Sequence, residues 1–219
     1  MYIHILFKHN FTPNQNQQMM KYFAYTSFLA IASFLLVAFG PAATKLSVDT
    51  SQSSIQWTGK KVTGQHEGSV QLKSGELMLE GNQLVGGTFV ADMNTIEITD
   101  LKGKMKSKLL GHLQSDDFFS ISDFGTATFT LTKVTPASKN DQGYTHSLKG
   151  KMEIKGMTQE LTFMAKVEMG KDMVTATADL AVDRTQHNIR YGSGSFFDNL
   201  GDQTIDDDFL LTVSITAKR

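Results

Sequence analysis

Cysteine is absent from this chain of 219 residues, proline occurs three times and tryptophan once. Without cysteine there is no disulfide framework, no thiol nucleophile and no thiolate metal site. The familiar catalytic signatures are missing too. The chain has no Gly-x-Ser-x-Gly elbow, no phosphate-cradling loop and no His-Glu-x-x-His pair. Gly192-Ser193-Gly194-Ser195 is glycine-rich but lacks the third glycine and following helix of a nucleotide loop, and reads as a turn. Charge of one sign is not in excess either, since 21 basic residues face 22 acidic ones. Nothing in that balance calls for nucleic acid or an anionic membrane as a partner.

The single long hydrophobic run, Tyr22 to Phe39, lies near the start. Lys21 precedes it and the small residues Gly40, Ala42 and Ala43 follow, the pattern of a cleaved secretory signal peptide. An uncleaved membrane anchor is the alternative reading, because the run approaches the length of a spanning helix. No cysteine follows the run, which excludes a lipoprotein anchor. The polar stretch Met1 to Gln18 is an odd prelude to a leader that is complete from Met19 or Met20, so translation is expected to start there. Residues 1–43 are therefore read as leader and 44–219 as one mature domain, long enough to bury a core. Loss of Lys8 and Lys21 leaves 19 cations against 22 acids, a net charge of −3. The expected location is periplasmic or secreted, with no stable membrane insertion after cleavage.

The mature part is dominated by period-two alternation. Ala127, Phe129 and Leu131 share one face, as do Leu161, Phe163, Ala165, Val167 and Met169. Val174, Ala176, Ala178, Leu180 and Val182 form a third row, and Phe209, Leu211, Val213, Ile215 and Ala217 a fourth. Leu148, Met152 and Ile154 make a shorter fifth. Side chains on a strand point alternately to opposite faces, so each segment has an oily side and a wet side. Further strands are expected at Lys45–Asp49, Ser54–Lys60, Val70–Leu72, Glu76–Leu79 and Val85–Met93. Ser74-Gly75 is read as a hairpin turn, and Gly86-Gly87 as a bulge or bend within a strand. The cluster from Pro136 to Tyr144 reads as a solvated connection. One helix is expected around Lys104–Gln114, with Leu109, Leu110 and Leu113 on one side and Lys104, Lys106 and Lys108 on the other. Antiparallel strands with a single helix imply a barrel or sandwich, and the helix suits a barrel opening. Barrels of about eight strands have interiors just large enough for side chains or one small ligand.

Candidate functional residues are few. Asp183 and His187, four apart, could share a metal, but no close His pair supports them and rim positions fit better. Asp183-Arg184 reads either as a structural ion pair or, with Arg190, as a receiver for a polar or phosphorylated head group. Phe118-Phe119 and Phe196-Phe197 cannot both face inward on a strand. They are either plugs sealing a filled barrel or a mouth that admits an apolar ligand.

Several segments together resemble one family. They are Ser54-Ile55-Gln56-Trp57-Thr58-Gly59-Lys60-Lys61, Gly111 to Phe119, Ile154-Lys155-Gly156-Met157-Thr158, and Asp183-Arg184-Thr185 with Ile189-Arg190-Tyr191-Gly192-Ser193. In order and spacing they look like the YceI-like, polyisoprenoid-binding proteins, from about Leu46 to Ala217. The resemblance implies an all-β fold, an extended antiparallel lipocalin-like barrel of about eight strands with one short helix near its mouth. It also implies a periplasmic, non-enzymatic protein that holds an isoprenoid-type lipid, a polyprenyl compound or quinone, as ligand and needs no cofactor. By matching position, Trp57, Phe89, Phe129, Phe163 and Phe209 would line the interior, and His112, Asp183 and Arg184 would fall in the shared motifs.

The expected site thus combines that lining with a mouth of Leu109, Leu110, Phe118, Phe119, Phe196 and Phe197, and a polar rim of His112, Asp183, Arg184 and Arg190. Met78, Met93, Met152, Met164 and Met169 are candidates for repacking around a guest of varying length. Burying about ten carbons at about 0.8 kcal/mol each gives roughly 8 kcal/mol, near micromolar affinity before costs. Two other readings stay open: a side-chain-filled barrel that binds an envelope protein, and an acid/base or metal enzyme using His112, Asp183 and His187. Pairing of two barrels into a homodimer is also left open.

Overall fold

The structure, a computed structural model, describes residues 43–138 and 142–219. The expected leader, with its signal peptide and its start at Met19 or Met20, lies outside the described residues. So does the centre of the Pro136–Tyr144 connection.

Nine antiparallel strands and one helix follow in the order β1 (Thr44–Ser47), β2 (Ser54–Lys61), β3 (Gly64–Glu80), β4 (Gln83–Ile98), α1 (Gly103–Gln114), β5 (Thr126–Pro136), β6 (His146–Ile154), β7 (Met157–Met169), β8 (Met173–Asp183) and β9 (Ile205–Lys218). Pairing runs from β3 through β2, β9, β8, β7, β6, β5 and β4, and β4 pairs back onto β3, so eight strands close a barrel. The β7–β8 ladder covers only Lys166–Met169 against Val174–Thr177, so these two strands separate toward Met157 and Asp183. β1 and β2 share one slot: β1 pairs with residues 76–79 of β3, β2 with residues 64–70. The break between them is held by Ser53, whose hydroxyl donates to the Asp49 carbonyl and accepts from the Thr216 amide.

The five alternating rows fall in β5 to β9. Ala127, Phe129, Leu131, Phe163, Ala176, Leu180, Phe209 and Leu211 all turn inward. The predicted helix is α1, one residue longer at its start. At Gly86-Gly87 the β3–β4 register slips between Met78 and Leu79, which is the expected bulge. The Lys155-Gly156 turn between β6 and β7 has positive φ at both residues, 50° and 71°, as a tight two-residue hairpin requires.

Ser74-Gly75 is not a turn. The chain runs straight through it, and the two predicted short strands are halves of the 17-residue β3. The register with β4 shifts between Leu72 and Ser74, so Lys73 is the bulged residue and Ser74 and Gly75 pair with Val90 and Phe89 just beyond it. Glycine is required at 75 for space: a Cβ there would lie 2.9 Å from Val48 Cγ2 and 3.2 Å from Phe89 Cδ1. Both a turn and a crowded strand position select glycine, and only the packing distinguishes them. Gly75→Val should therefore lower stability by about 1–3 kcal/mol in urea denaturation. An unchanged midpoint would show that Val48 and Phe89 can yield.

Candidate ligand-binding cavity

The inward rows do not fill the barrel. A cavity of about 210 Å³ runs along the interior, and its lining is almost entirely hydrocarbon. Two features of the sequence keep it open. Small residues face inward at Ala91, Ala127, Ala165, Ala176 and Ala178. The large rings lie across glycines on the neighbouring strand. Trp57 pairs with Gly68, and its Cζ2 sits 2.6 Å from where a glycine Cβ would be. Phe129 lies over Gly150 in the same way, with Cζ at 2.4 Å. Phe129 also packs on Phe89 and Phe163, with ring centroids 6.4 and 5.5 Å away, so the aromatics form a wall rather than a plug.

One end of the cavity is stopped. Leu46, Val48, Leu79, Val167, Val174 and Ala217 are buried and lie outside the lining. At the other end the lining extends to Leu113 of α1, to Phe118 and Phe119 just after it, and to Asp206 and Asp208, both exposed. Of the expected lipid-lining residues, Trp57, Phe89, Phe118, Phe119, Phe129, Phe163 and Phe209 are on the cavity wall. Leu109 and Leu110 are not; they pack half-buried against the core from the helix. Phe196 and Phe197 are not either, and stand 45% and 51% exposed on the loop before β9. Met93 and Met152 line the cavity, whereas Met78, Met164 and Met169 do not.

The four rim candidates have separate tasks. Arg184 is 1% exposed. Its Nε donates to the Asp206 carbonyl at 2.9 Å, Nη1 to those of Ile189 and Tyr191 at 2.8 and 2.9 Å, and Nη2 to that of Ile205 at 3.0 Å. Its ionic partner is not Asp183 but Asp207, with Nη2 to Oδ1 at 3.7 Å. Burial lowers the Arg184 pKa, and Asp207, Asp183 and Asp206 oppose that shift. The guanidinium remains a cation. With four carbonyls bound it has little left for a head group. It ties the loop after β8 to the start of β9, closing that corner of the barrel. Ser193 is fully buried in the same corner, and the Ile205 amide donates to the Gly192 carbonyl at 2.8 Å.

Asp183 caps the short turn at Arg184–His187, accepting from the Thr185 amide at 2.9 Å and hydroxyl at 2.6 Å, and from Gln186 at 3.0 Å. Burial pushes its pKa up, but the hydrogen bonds from Thr185 and Gln186 outweigh this and hold the carboxyl below its ordinary 3.8. His187 is buried with Nδ1 2.9 Å from the Met157 carbonyl. Asp183 and His187 border a second recess of about 200 Å³ between β7 and β8, which shares Met152 and Asp208 with the lining of the main cavity. His112 is elsewhere, its ring 4.3 Å from Tyr191 and 5.5 Å from Phe118 between centroids. The three residues of the enzyme reading therefore meet different partners. Among the described residues no three His, Asp or Glu side chains converge as metal ligands. Arg190 is exposed and stacks over Phe196 at 4.5 Å.

The fold and site define a closed antiparallel barrel, sealed at one end, around an apolar cavity. The YceI-like domain model matches residues 46–217, and the chain belongs to that family. Among solved structures it is similar to BcnA of Burkholderia cenocepacia, at 21% identity over 78% of this chain and 99% of that one, with a TM-score of 0.59. It is also similar to a polyisoprenoid binding domain from Saccharophagus degradans implicated in plant cell wall breakdown. That match has 11% identity, 80% and 98% coverage and a TM-score of 0.56. At these identities the likeness concerns the fold. No curated protein matches the chain.

Arg184→Met should destabilise the fold by about 3–5 kcal/mol in chemical denaturation, because four carbonyls and Asp207 lose their partner. Arg184→Lys should recover only part, since an ammonium lacks the fork. Unchanged stability with altered ligand binding would instead assign Arg184 to a guest. Asp183 adds a pH signature. Its folded pKa is depressed, so its contribution is fully present above the unfolded value of about 3.8 and is lost as pH falls through the folded value. Asp183→Asn should flatten that acid limb of the stability profile, and an identical limb in the variant would refute the capping role.

Proposed function

We propose that this chain is an exported binding protein that carries or sequesters an isoprenoid-type lipid, a polyprenyl compound or quinone, in its barrel. The observation that carries the reading is the apolar cavity of about 210 Å³ inside a barrel stopped at one end. A side-chain-filled barrel offers no such space. Family membership and the likeness to a polyisoprenoid binding domain support the same ligand class. The leader pattern at residues 1–43 supports export, and no helix among the described residues is long and apolar enough to cross a membrane.

The mechanism is exclusion of water. Each buried methylene contributes about 0.8 kcal/mol, and such binding needs no directed polar contact. That suits a cavity whose nearest cation, Arg184, is already engaged by backbone carbonyls. A cavity of about 150 Å³ accepts one benzene ring. On that scale this one takes roughly one to two five-carbon units as it stands, and a longer guest extends through the open end or repacks Met93 and Met152. The role is binding, and no reaction is assigned to the cavity.

Mass spectrometry of lipid extracted from natively purified protein is the direct test, with an isoprenoid compound expected. Ala176 faces the cavity, so Ala176→Phe should fill it, abolish lipid recovery and leave the folded circular dichroism spectrum intact. A wild-type protein that yields no lipid and does not bind added polyprenol or quinone would end this reading.

A further inference from the structure

The end of the barrel that carries α1 has an unusual surface. The β2–β3 hairpin tip presents Lys60, Lys61 and Val62 to solvent, and Val62 is 64% exposed. The start of α1 lies beside this hairpin. Asp100, three residues before the helix, accepts from the Glu67 amide and lies 2.7 Å from His66 Nδ1. There Lys102, the residue before α1, and Lys104, Lys108 and Met105 of α1 are exposed, the last at 67%. These two apolar side chains are the most exposed large hydrophobics among the described residues.

The two acids nearest the approach to α1 are already paired. Glu97 is paired with Lys106 and Asp100 with His66, while Lys60, Lys61, Lys102, Lys104 and Lys108 have no ion-pair partner among the described residues. Lys61 pairs with Ile205 and the Val62 amide donates to the Thr204 carbonyl, so Asp202 and Asp206 border the cationic face at the hairpin tip. The placement is also unfavourable for the helix itself. α1 has no acidic residue in its first turn and no side-chain cap, and cations at a helix N-terminus oppose its dipole. The lysines therefore do not serve helix stability. The same segment ends in Leu113, Phe118 and Phe119, which form the cavity wall at its open end.

We propose that this face, the β2–β3 tip together with the exposed side of α1, docks on an anionic phospholipid bilayer. Five unpaired lysines and two protruding apolar side chains lie on the hairpin tip and the first half of the helix segment, a combination that suits an interface of negative head groups over hydrocarbon. An acidic protein would satisfy the lysines but gives no reason for Val62 and Met105 to project. The inference rests on the lipid-carrier reading for its purpose: docking at the open end lets an apolar guest pass between bilayer and barrel without crossing water.

The experiment is flotation of purified mature protein with vesicles of phosphatidylcholine alone and of phosphatidylcholine with an equal share of phosphatidylglycerol. Binding is expected only to the anionic vesicles and should fall as salt is raised. The double variant Lys104→Glu, Lys108→Glu should reduce partitioning roughly tenfold or more. Met105→Ser, which leaves the charge unchanged, should reduce it as well, separating apolar insertion from charge. All substituted positions are exposed, and a thermal melt confirms that each variant is folded. Equal flotation with neutral vesicles, or anionic flotation indifferent to these variants, overturns the proposal. Retention on immobilised polyglutamate without vesicle flotation would assign the lysines to a protein partner and also overturn it. The two readings fail separately. Lipid in the purified barrel with no flotation removes only the docking face, and flotation by a protein that never contains lipid removes only the carrier.

Discussion

The structure depends on one steric arrangement: large rings lying across glycines inside a closed barrel. An eight-stranded barrel has an interior that side chains can just fill. Trp57 over Gly68 and Phe129 over Gly150 press their rings against the wall, and five alanines face the space this leaves. A Cβ at Gly68 or Gly150 would also meet backbone oxygens of Glu97 and Thr130 at 1.8 and 2.5 Å, so close strand packing and ring placement use the same glycines. Aromatic rings over glycines also pin strand register. The feature that opens the cavity thus helps to hold the barrel around it.

A second arrangement closes the barrel's corner. β8 and β9 are joined by about twenty residues that form no strand, and such a connection needs internal partners for its backbone groups. Backbone turns supply many of them, and Arg184 adds a tie, binding the Ile189 and Tyr191 carbonyls in the loop and the Ile205 carbonyl at the start of β9. Asp183 caps the turn that places it, and Phe118 lies under the guanidinium, 5.9 Å from the ring centroid. This links the loop to the segment after α1. The Asp-Arg-Thr and Ile-Arg-Tyr-Gly-Ser motifs are therefore read best as one folding unit at the open end. At this end the fixed corner adjoins both the lysine-bearing hairpin, where Lys61 pairs with Ile205, and the helix, whose His112 packs on Tyr191.

Much of this was legible from period-two patterning. Rows such as Ala176, Ala178 and Leu180 name their own inward face, because alternation is a property of the extended backbone. The family motifs led to the right fold, since they span nearly the whole barrel. Loops were read less well. Phe118-Phe119 and Phe196-Phe197 look equivalent as doublets, yet the first lines the cavity and the second is exposed. The difference is that Ser115 and Ser120 fold the first doublet back under α1, with the Ser120 amide bonded to the Ser115 carbonyl at 2.8 Å. Arg184 was legible as important but not as buried, because its four partners are backbone carbonyls and carry no side-chain signal.

By itself the sequence determined the strands, their inward faces, the helix and the apolar character of the interior, all consequences of local periodicity and side-chain chemistry. Only the tertiary structure decided whether the interior was full or hollow, which glycines were turns and which were clearances, and where Arg184 directed its donors. Those outcomes depend on distances between strands far apart in the chain. Volume left between such strands is set jointly by both of them, so no local pattern in either one encodes it.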